Sequence, residues 1–74
     1  MNGPQMAMKL MNYREALVGT VDALERAIRI ARTELAYLEM SGRGTGDAKV
    51  DIVTDDLNVY QAALDGVMKV LESI

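Results

Sequence analysis

The chain has 74 residues, half of them apolar, with three Tyr and neither Phe nor Trp. It has no Cys and no His, which excludes disulfides, thiolate metal sites and imidazole bases. Eight basic residues against 11 acidic ones give a net charge of -3, which disfavours general binding to DNA or RNA because the chain as a whole repels phosphate. A single domain of this size has a small core, so we expect self-association to add to its stability.

Residues 1–11 form a Met-rich leader that holds four of the six Met residues. It has neither a basic start nor a long apolar centre, so no secretory signal is predicted, and no apolar run approaches the roughly 20 residues of a membrane span. We therefore expect a cytoplasmic protein that does not enter a membrane. The leader is interpreted as a tail or as an arm that contacts another subunit, and residues 12–74 as one helical domain.

A first helix is predicted over about residues 13–40. Asn12 has the features of an N-cap, since Glu15 follows at the capping-box spacing, and Gly42 is a stop signal. If the helix begins earlier, Leu10 extends the pattern and Pro4 falls in the first turn. The apolar positions alternate spacings of four and three, which is typical of a heptad repeat; they are Leu17, Val21, Leu24, Ile28, Ala31, Leu35 and Leu38.

The segment SGRGTGD, residues 41–47, has a glycine at every second position and leads into the next helix. A phosphate-binding loop needs such backbone freedom, which makes Arg43 and Thr45 weak ligand-loop candidates. The segment lacks the P-loop pattern, and Asp47 would place a carboxylate where an anion should bind. We therefore interpret it as the corner of a helical hairpin.

A second helix is predicted over about residues 48–73, with Asp47 as its N-cap. Its heptad positions are Val50, Val53, Leu57, Tyr60, Leu64, Val67, Leu71 and Ile74. Positions from the two helices pair so that their residue numbers add to 88, as in Leu38 with Val50 and Leu17 with Leu71. This match predicts an all-α protein, an antiparallel two-helix hairpin in which the two heptad rows, called the seam below, face each other.

Both helices carry a second apolar stripe beside the seam, which we call the second face. Its members are Ala16, Thr20, Ala23, Ala27, Ile30 and Tyr37 on the first helix and Ile52, Val59, Ala63, Gly66 and Val70 on the second. Two helices cannot bury both stripes, so the second face predicts an oligomer interface. A homodimer forming a four-helix bundle is favoured, with a higher helical oligomer or a foreign protein as alternatives.

Polar residues interrupt the second face close to the loop, and with the nearby tyrosines they form a candidate polar interface or ligand site. The set is Glu34, Tyr37, Lys49, Asp56 and Tyr60. One interpretation is that the carboxylates pair with Lys49, or with an Arg of a second subunit, and fix the register of the interface. The other is a polar ligand pocket at the junction of subunits.

The sequence offers no nucleophile with a neighbouring base, so no catalytic or metal-binding residue and no cofactor is predicted, and we expect a protein that is not an enzyme. Arg26, Arg29 and Arg32 alternate with acids, as on a solvated helix face. The favoured function is a small interaction protein that self-associates and binds or regulates another protein, as an inhibitor or adaptor. An oligomer that binds an anionic, nucleotide-like ligand at subunit junctions is the alternative, and a nucleic-acid-binding regulator is a weaker one.

Overall fold

The computed structural model describes residues 3–44 and 46–74, which form two helices and no strand. Helix α1 spans Gly3–Met40 and helix α2 spans Ala48–Ser73, and the two pack as an antiparallel hairpin. Measured between Cα atoms, the hairpin is 61 Å long and 15 Å across. The predicted fold class is confirmed.

The start of α1 differs from the prediction. Asn12 is not an N-cap but lies inside the helix, which begins at Gly3. Residues 5–11 are mostly strong helix formers, and Pro4 in the first turn removes only an amide that has no partner inside the helix. The residues interpreted as a leader are therefore helical from Gly3 onward. We call residues 3–13 the N-terminal extension.

The end of α1 is set by Gly42, as predicted. Its φ of 84° is in the left-handed region, which a residue with a Cβ adopts only at a cost. The amide of Arg43 donates to the carbonyl of Leu38 over 3.0 Å, and that of Gly42 donates to Glu39 over 3.0 Å. This pair of bonds is the Schellman motif, which satisfies the last carbonyls of the helix while turning the chain.

The start of α2 is set by Asp47, again as predicted. Its carboxylate oxygen Oδ1 accepts hydrogen bonds from the amides of Lys49 at 3.0 Å and Val50 at 3.3 Å. These are amides of the first turn that have no carbonyl partner within the helix. The corner is therefore closed by a left-handed glycine on one side and a capping carboxylate on the other.

The seam forms the core of the hairpin. Its residues from Leu17 to Leu38 and from Val50 to Leu71 are all buried or half-buried. The best-packed part lies near the loop, where Ala31, Leu35 and Leu38 meet Val50, Val53, Leu57 and Tyr60. At the open end Ile74 lines a cleft with Leu10, Met11 and Arg14, so α2 ends level with these residues and the extension reaches beyond it.

Candidate functional site

The second face lies uncovered along one side of the hairpin. Ten of its eleven residues are exposed, and Ala27 is half-buried. Four large apolar side chains expose between 60 and 69% of their surface; they are Ile30, Tyr37, Ile52 and Val59. Scattered exposed apolar residues are ordinary on protein surfaces, but an apolar row that runs along two packed helices is typical of an interface.

Side-chain size changes along this face. These four large residues lie in the half nearer the loop, whereas the half nearer the open end holds Ala16, Ala23, Ala63 and Gly66, with Val70 as its one large apolar residue. A Cβ added at Gly66 would meet no atom within 4 Å, so this glycine leaves open space on the surface. A covering helix would come close to the backbone at the small residues and would meet raised side chains near the loop.

The predicted polar cluster is brought together in part. Glu34 Oε1 lies 3.7 Å from Lys49 Nζ, which joins the two helices by an ion pair on the second face. Glu34, Asp56 and Tyr60 line a cleft of about 240 Å³ whose remaining wall is apolar, formed by Ala27, Ile30, Ala31 and Val53.

The other two members of that set lie apart from the cleft. Tyr37 does not line it, and its ring is among the most exposed apolar groups of the protein. Lys49 reaches the cleft only through its ion pair with Glu34. The arrangement leaves two carboxylates and one ammonium group at this end of the second face, an excess of one negative charge.

The loop offers little for a ligand. Arg43 Nε lies 4.0 Å from Asp47 Oδ2, while the other oxygen of the same carboxylate caps α2. The position that an anion would take at this helix N-terminus therefore already holds a carboxylate. Thr45, the other loop candidate, lies outside the described residues.

Sequence reasoning missed a cleft on the opposite edge of the hairpin. This cleft of about 560 Å³ is lined by Glu25, Ile28, Arg29, Arg32, Gln61, Leu64 and Asp65. Two guanidinium groups and two carboxylates give its lining no net formal charge. The seam register contains the signal, because it places residues 25–32 beside residues 61–65, whereas the spacing of the arginines along α1 alone does not show it.

The N-terminal extension is a second uncovered apolar surface. Its exposed large residues are Met6, Met8, Leu10, Met11 and Tyr13. Two shallow clefts lie where the extension joins the rest of the hairpin, and Arg14 lines both. One, of about 310 Å³, is also lined by Met11, Glu15 and Val18, and the other, of about 230 Å³, by Leu10, Met11 and Ile74.

Within residues 3–44 and 46–74, no group of three or more Asp and Glu side chains is placed to hold a metal ion. Neither described helix is both long enough and apolar enough to cross a membrane. The chain matches no family model, no curated protein and no solved structure. What the described geometry offers chemically is apolar contact on one side of the hairpin and a charge-balanced cleft on the other.

Proposed function

We propose that the protein is a non-catalytic helical interaction protein that self-associates through the second face and binds or regulates another protein. The observation that carries this proposal is the uncovered row of Ile30, Tyr37, Ile52 and Val59 beside a seam that is already filled. A hairpin whose seam is complete gains nothing within its own chain from a second apolar stripe. Such a stripe is explained by a second molecule.

The free energy gained by burying apolar side chains indicates how much of the second face a second molecule must cover. Full burial of one such side chain contributes about 1.5 to 3 kcal/mol, so the four large residues contribute on the order of 8 kcal/mol. Association costs about 4 to 15 kcal/mol in lost freedom of motion. The four residues alone are therefore marginal, whereas a homodimer, in which both copies contribute their second faces, doubles the gain to about 16 kcal/mol and reaches the upper end of that range.

The cleft of about 560 Å³ on the edge opposite the second face, called the edge cleft below, is the surface we assign to a foreign protein. It stays accessible when the second face is covered, since Arg29, Arg32 and Asp65 lie on the other side of the seam. Glu25 and Asp65 offset the two arginines, so the cleft has no net charge to attract a free nucleotide, whereas a protein can match both signs with its own carboxylates and ammonium groups. The charge balance of the cleft therefore favours a protein over an anionic small molecule.

Two matched variants test the proposal. Ile30→Glu places a charge on the second face, and the double variant Arg29→Glu, Arg32→Glu inverts the charge of the edge cleft. We expect the first to lower the mass in solution by light scattering to that of one chain. We expect the second to keep the oligomer and to lose the proteins that the wild type retains from a lysate of its own host.

Two results together would contradict the proposal. The first is that the wild type and the double variant Arg29→Glu, Arg32→Glu retain the same proteins from the lysate. The second is that a nucleotide raises the melting temperature of the wild type. That combination would place the protein among ligand-binding oligomers. If the mass of Ile30→Glu in solution equals that of the wild-type oligomer, the second face is not the interface.

A further inference from the structure

The N-terminal extension has no helix of its own chain beside it. Helix α1 has 38 residues and α2 has 26, and Ile74 lines the same cleft as Leu10 and Arg14. An isolated helical segment of about 11 residues is marginal in water, even with good helix formers. This segment also exposes Met6, Leu10 and Tyr13. Its helical form and its apolar surface both call for a covering element.

A second copy of α1 fits that requirement in one antiparallel register. When residue numbers of the two copies add to 43, Gly3 lies level with Met40 and the helices overlap along their whole length. The second-face residues of α1 in one copy then lie opposite second-face residues of α1 in the other copy, or opposite extension residues that continue the same stripe. The pairs are Met6 with Tyr37, Tyr13 with Ile30, Ala16 with Ala27 and Thr20 with Ala23.

Side-chain sizes fit this register. The small residues Ala16, Thr20, Ala23 and Ala27 fall around the midpoint of α1, where two crossing helices come closest. The large residues fall toward both ends, where the axes diverge and more space has to be filled.

Charge selects this register over its neighbours. It places Lys9 of one copy opposite Glu34 of the other, at the end of the second face where two carboxylates face only Lys49. The ammonium group of Lys9 offsets that excess negative charge. A shift by one heptad would instead place Lys9 opposite Ala27 or Ser41, and Glu34 would gain no cation.

The same register brings the extension against α2. Residues of α1 and α2 that lie level add to 88, so Met6 of a second copy lies level with residue 51, beside Ile52. Tyr13 of that copy lies level with residue 58, beside Val59. The extension of one copy would then lie between the large apolar side chains of α1 and those of α2 in the other.

We infer that the protein is an antiparallel homodimer in which the N-terminal extension of each copy covers the loop half of the second face of the other. This inference rests on the self-association in the proposed function and adds its geometry. The occupant of the second face is a second copy of α1, residues 3–40, and the two extensions form reciprocal arms. One arrangement covers both uncovered apolar surfaces of the chain.

The chain has no Cys, so engineered cysteines report this geometry without background. The double variant Ala16→Cys, Ala27→Cys places two thiols opposite their counterparts in the second copy. Within one helix the two positions are about 16 Å apart, which excludes a bond inside the chain. On mild oxidation at low micromolar concentration, we expect nearly all of this variant to become a covalent dimer.

Two controls separate this result from chance collision. Val18→Cys, Glu25→Cys has the same numerical register but lies on the opposite edge of α1, and we expect it to stay uncrosslinked. Ala16→Cys, Glu34→Cys tests the register shifted by one heptad, and we expect little dimer. Equal crosslinking in the edge control, or preferential crosslinking in the shifted pair, would overturn the inference.

Charge exchange gives an independent test. Lys9→Glu creates two repulsive contacts with Glu34 per dimer, and we expect its dissociation constant to rise about tenfold. Mixing it with Glu34→Lys makes both contacts attractive in the heterodimer, which should form in preference to either homodimer. Failure of the mixture to pair would contradict the register.

The failure of this inference differs from that of the proposed function. A stable dimer mass without crosslinking between positions 16 and 27 would refute the arm geometry and leave self-association in place. A single-chain mass at every concentration would refute both.

Discussion

The seam and the second face follow the same periodicity but have different fates. Both are apolar rows of heptad positions on the same two helices, yet Leu38, Val50 and Val53 are buried while Ile30, Ile52 and Val59 are open to solvent. The difference arises because the turn between α1 and α2 brings the two seams together, so that this side of each helix is already covered. Periodicity thus shows which apolar residues form rows that need to be buried, and the path of the chain shows which of these rows is buried within the molecule.

Seam residues and second-face residues differ in how they stabilise the fold. A seam residue stabilises the fold at any concentration because its partner is in the same chain. A second-face residue stabilises it only when another molecule is bound, so its contribution depends on concentration.

Leu38→Ala should cause the largest loss. Leu38 is only 3% exposed and lies in the best-packed part of the seam, so the substitution should lower the free energy of unfolding by about 3 kcal/mol. Ile30→Ala is the matched change on the second face. It should cost less than about 0.5 kcal/mol in dilute solution and more as concentration rises.

Urea unfolding followed by circular dichroism, at a low and a high chain concentration, measures both effects. Equal losses of unfolding free energy for Ile30→Ala and Leu38→Ala in dilute solution would contradict the distinction between the seam and the second face.

Two glycine substitutions should have opposite signs. Gly42→Ala forces a Cβ into a backbone with φ of 84° and should destabilise the hairpin by about 1 to 2 kcal/mol. Gly66→Ala lies inside α2 with open space around the new methyl group, and should stabilise the fold by about 0.5 to 1 kcal/mol. Thermal unfolding at low concentration measures both. A melting temperature that is unchanged or raised in Gly42→Ala would show that Gly42 does not set the corner that aligns the seams.

Asp47→Ala should cost about 1 kcal/mol, because two amides at the start of α2 lose their acceptor. Asp51→Ala is the matched control, since Asp51 also lies in the first turn but is not the cap. Its loss should be a few tenths of a kcal/mol, from the helix dipole alone. The same urea series measures both variants. Equal losses would mean that charge, rather than the capping hydrogen bonds, stabilises this end of the helix.

Lys49→Ala should have the smallest effect on the isolated hairpin. The ion pair with Glu34 is 3.7 Å long, with the Lys49 side chain 58% and the Glu34 side chain 44% exposed, so it contributes a few tenths of a kcal/mol that salt removes. Lys69→Ala, on an exposed part of α2, serves as the control. Unfolding in low and high salt checks the difference. In a dilute sample, where the second face is uncovered, a loss of more than about 1 kcal/mol that survives high salt would contradict a weak, solvent-screened pair.

Most of the fold could be predicted from the sequence because its signals agree with one another. The seam spacing, the glycine stop at Gly42 and the cap at Asp47 all require the same corner, and the structure has each of them. The start of α1 could not be fixed in the same way. Asn12 and Glu15 have capping-box spacing, but the residues before them also favour a helix, and the helix continues through the apparent cap.

The surfaces were less predictable than the fold. The pairing of Glu34 with Lys49 was one of two options that the sequence left open, because the choice depends on distances between side chains of two helices. The cleft around Arg29 and Asp65 arises only from the way the helices flank each other. Periodicity identified the second face, but it contains no information on what covers that face.

The most direct test of the account is the mass in solution, measured by light scattering behind size exclusion over a hundredfold range of concentration. We predict a mass of twice the 8.1 kDa of one chain at the upper end, and a mass near that of one chain for Ile30→Glu under the same conditions. A wild-type mass of 8.1 kDa at every concentration, with the helices intact, would contradict the claim that a second copy covers the second face.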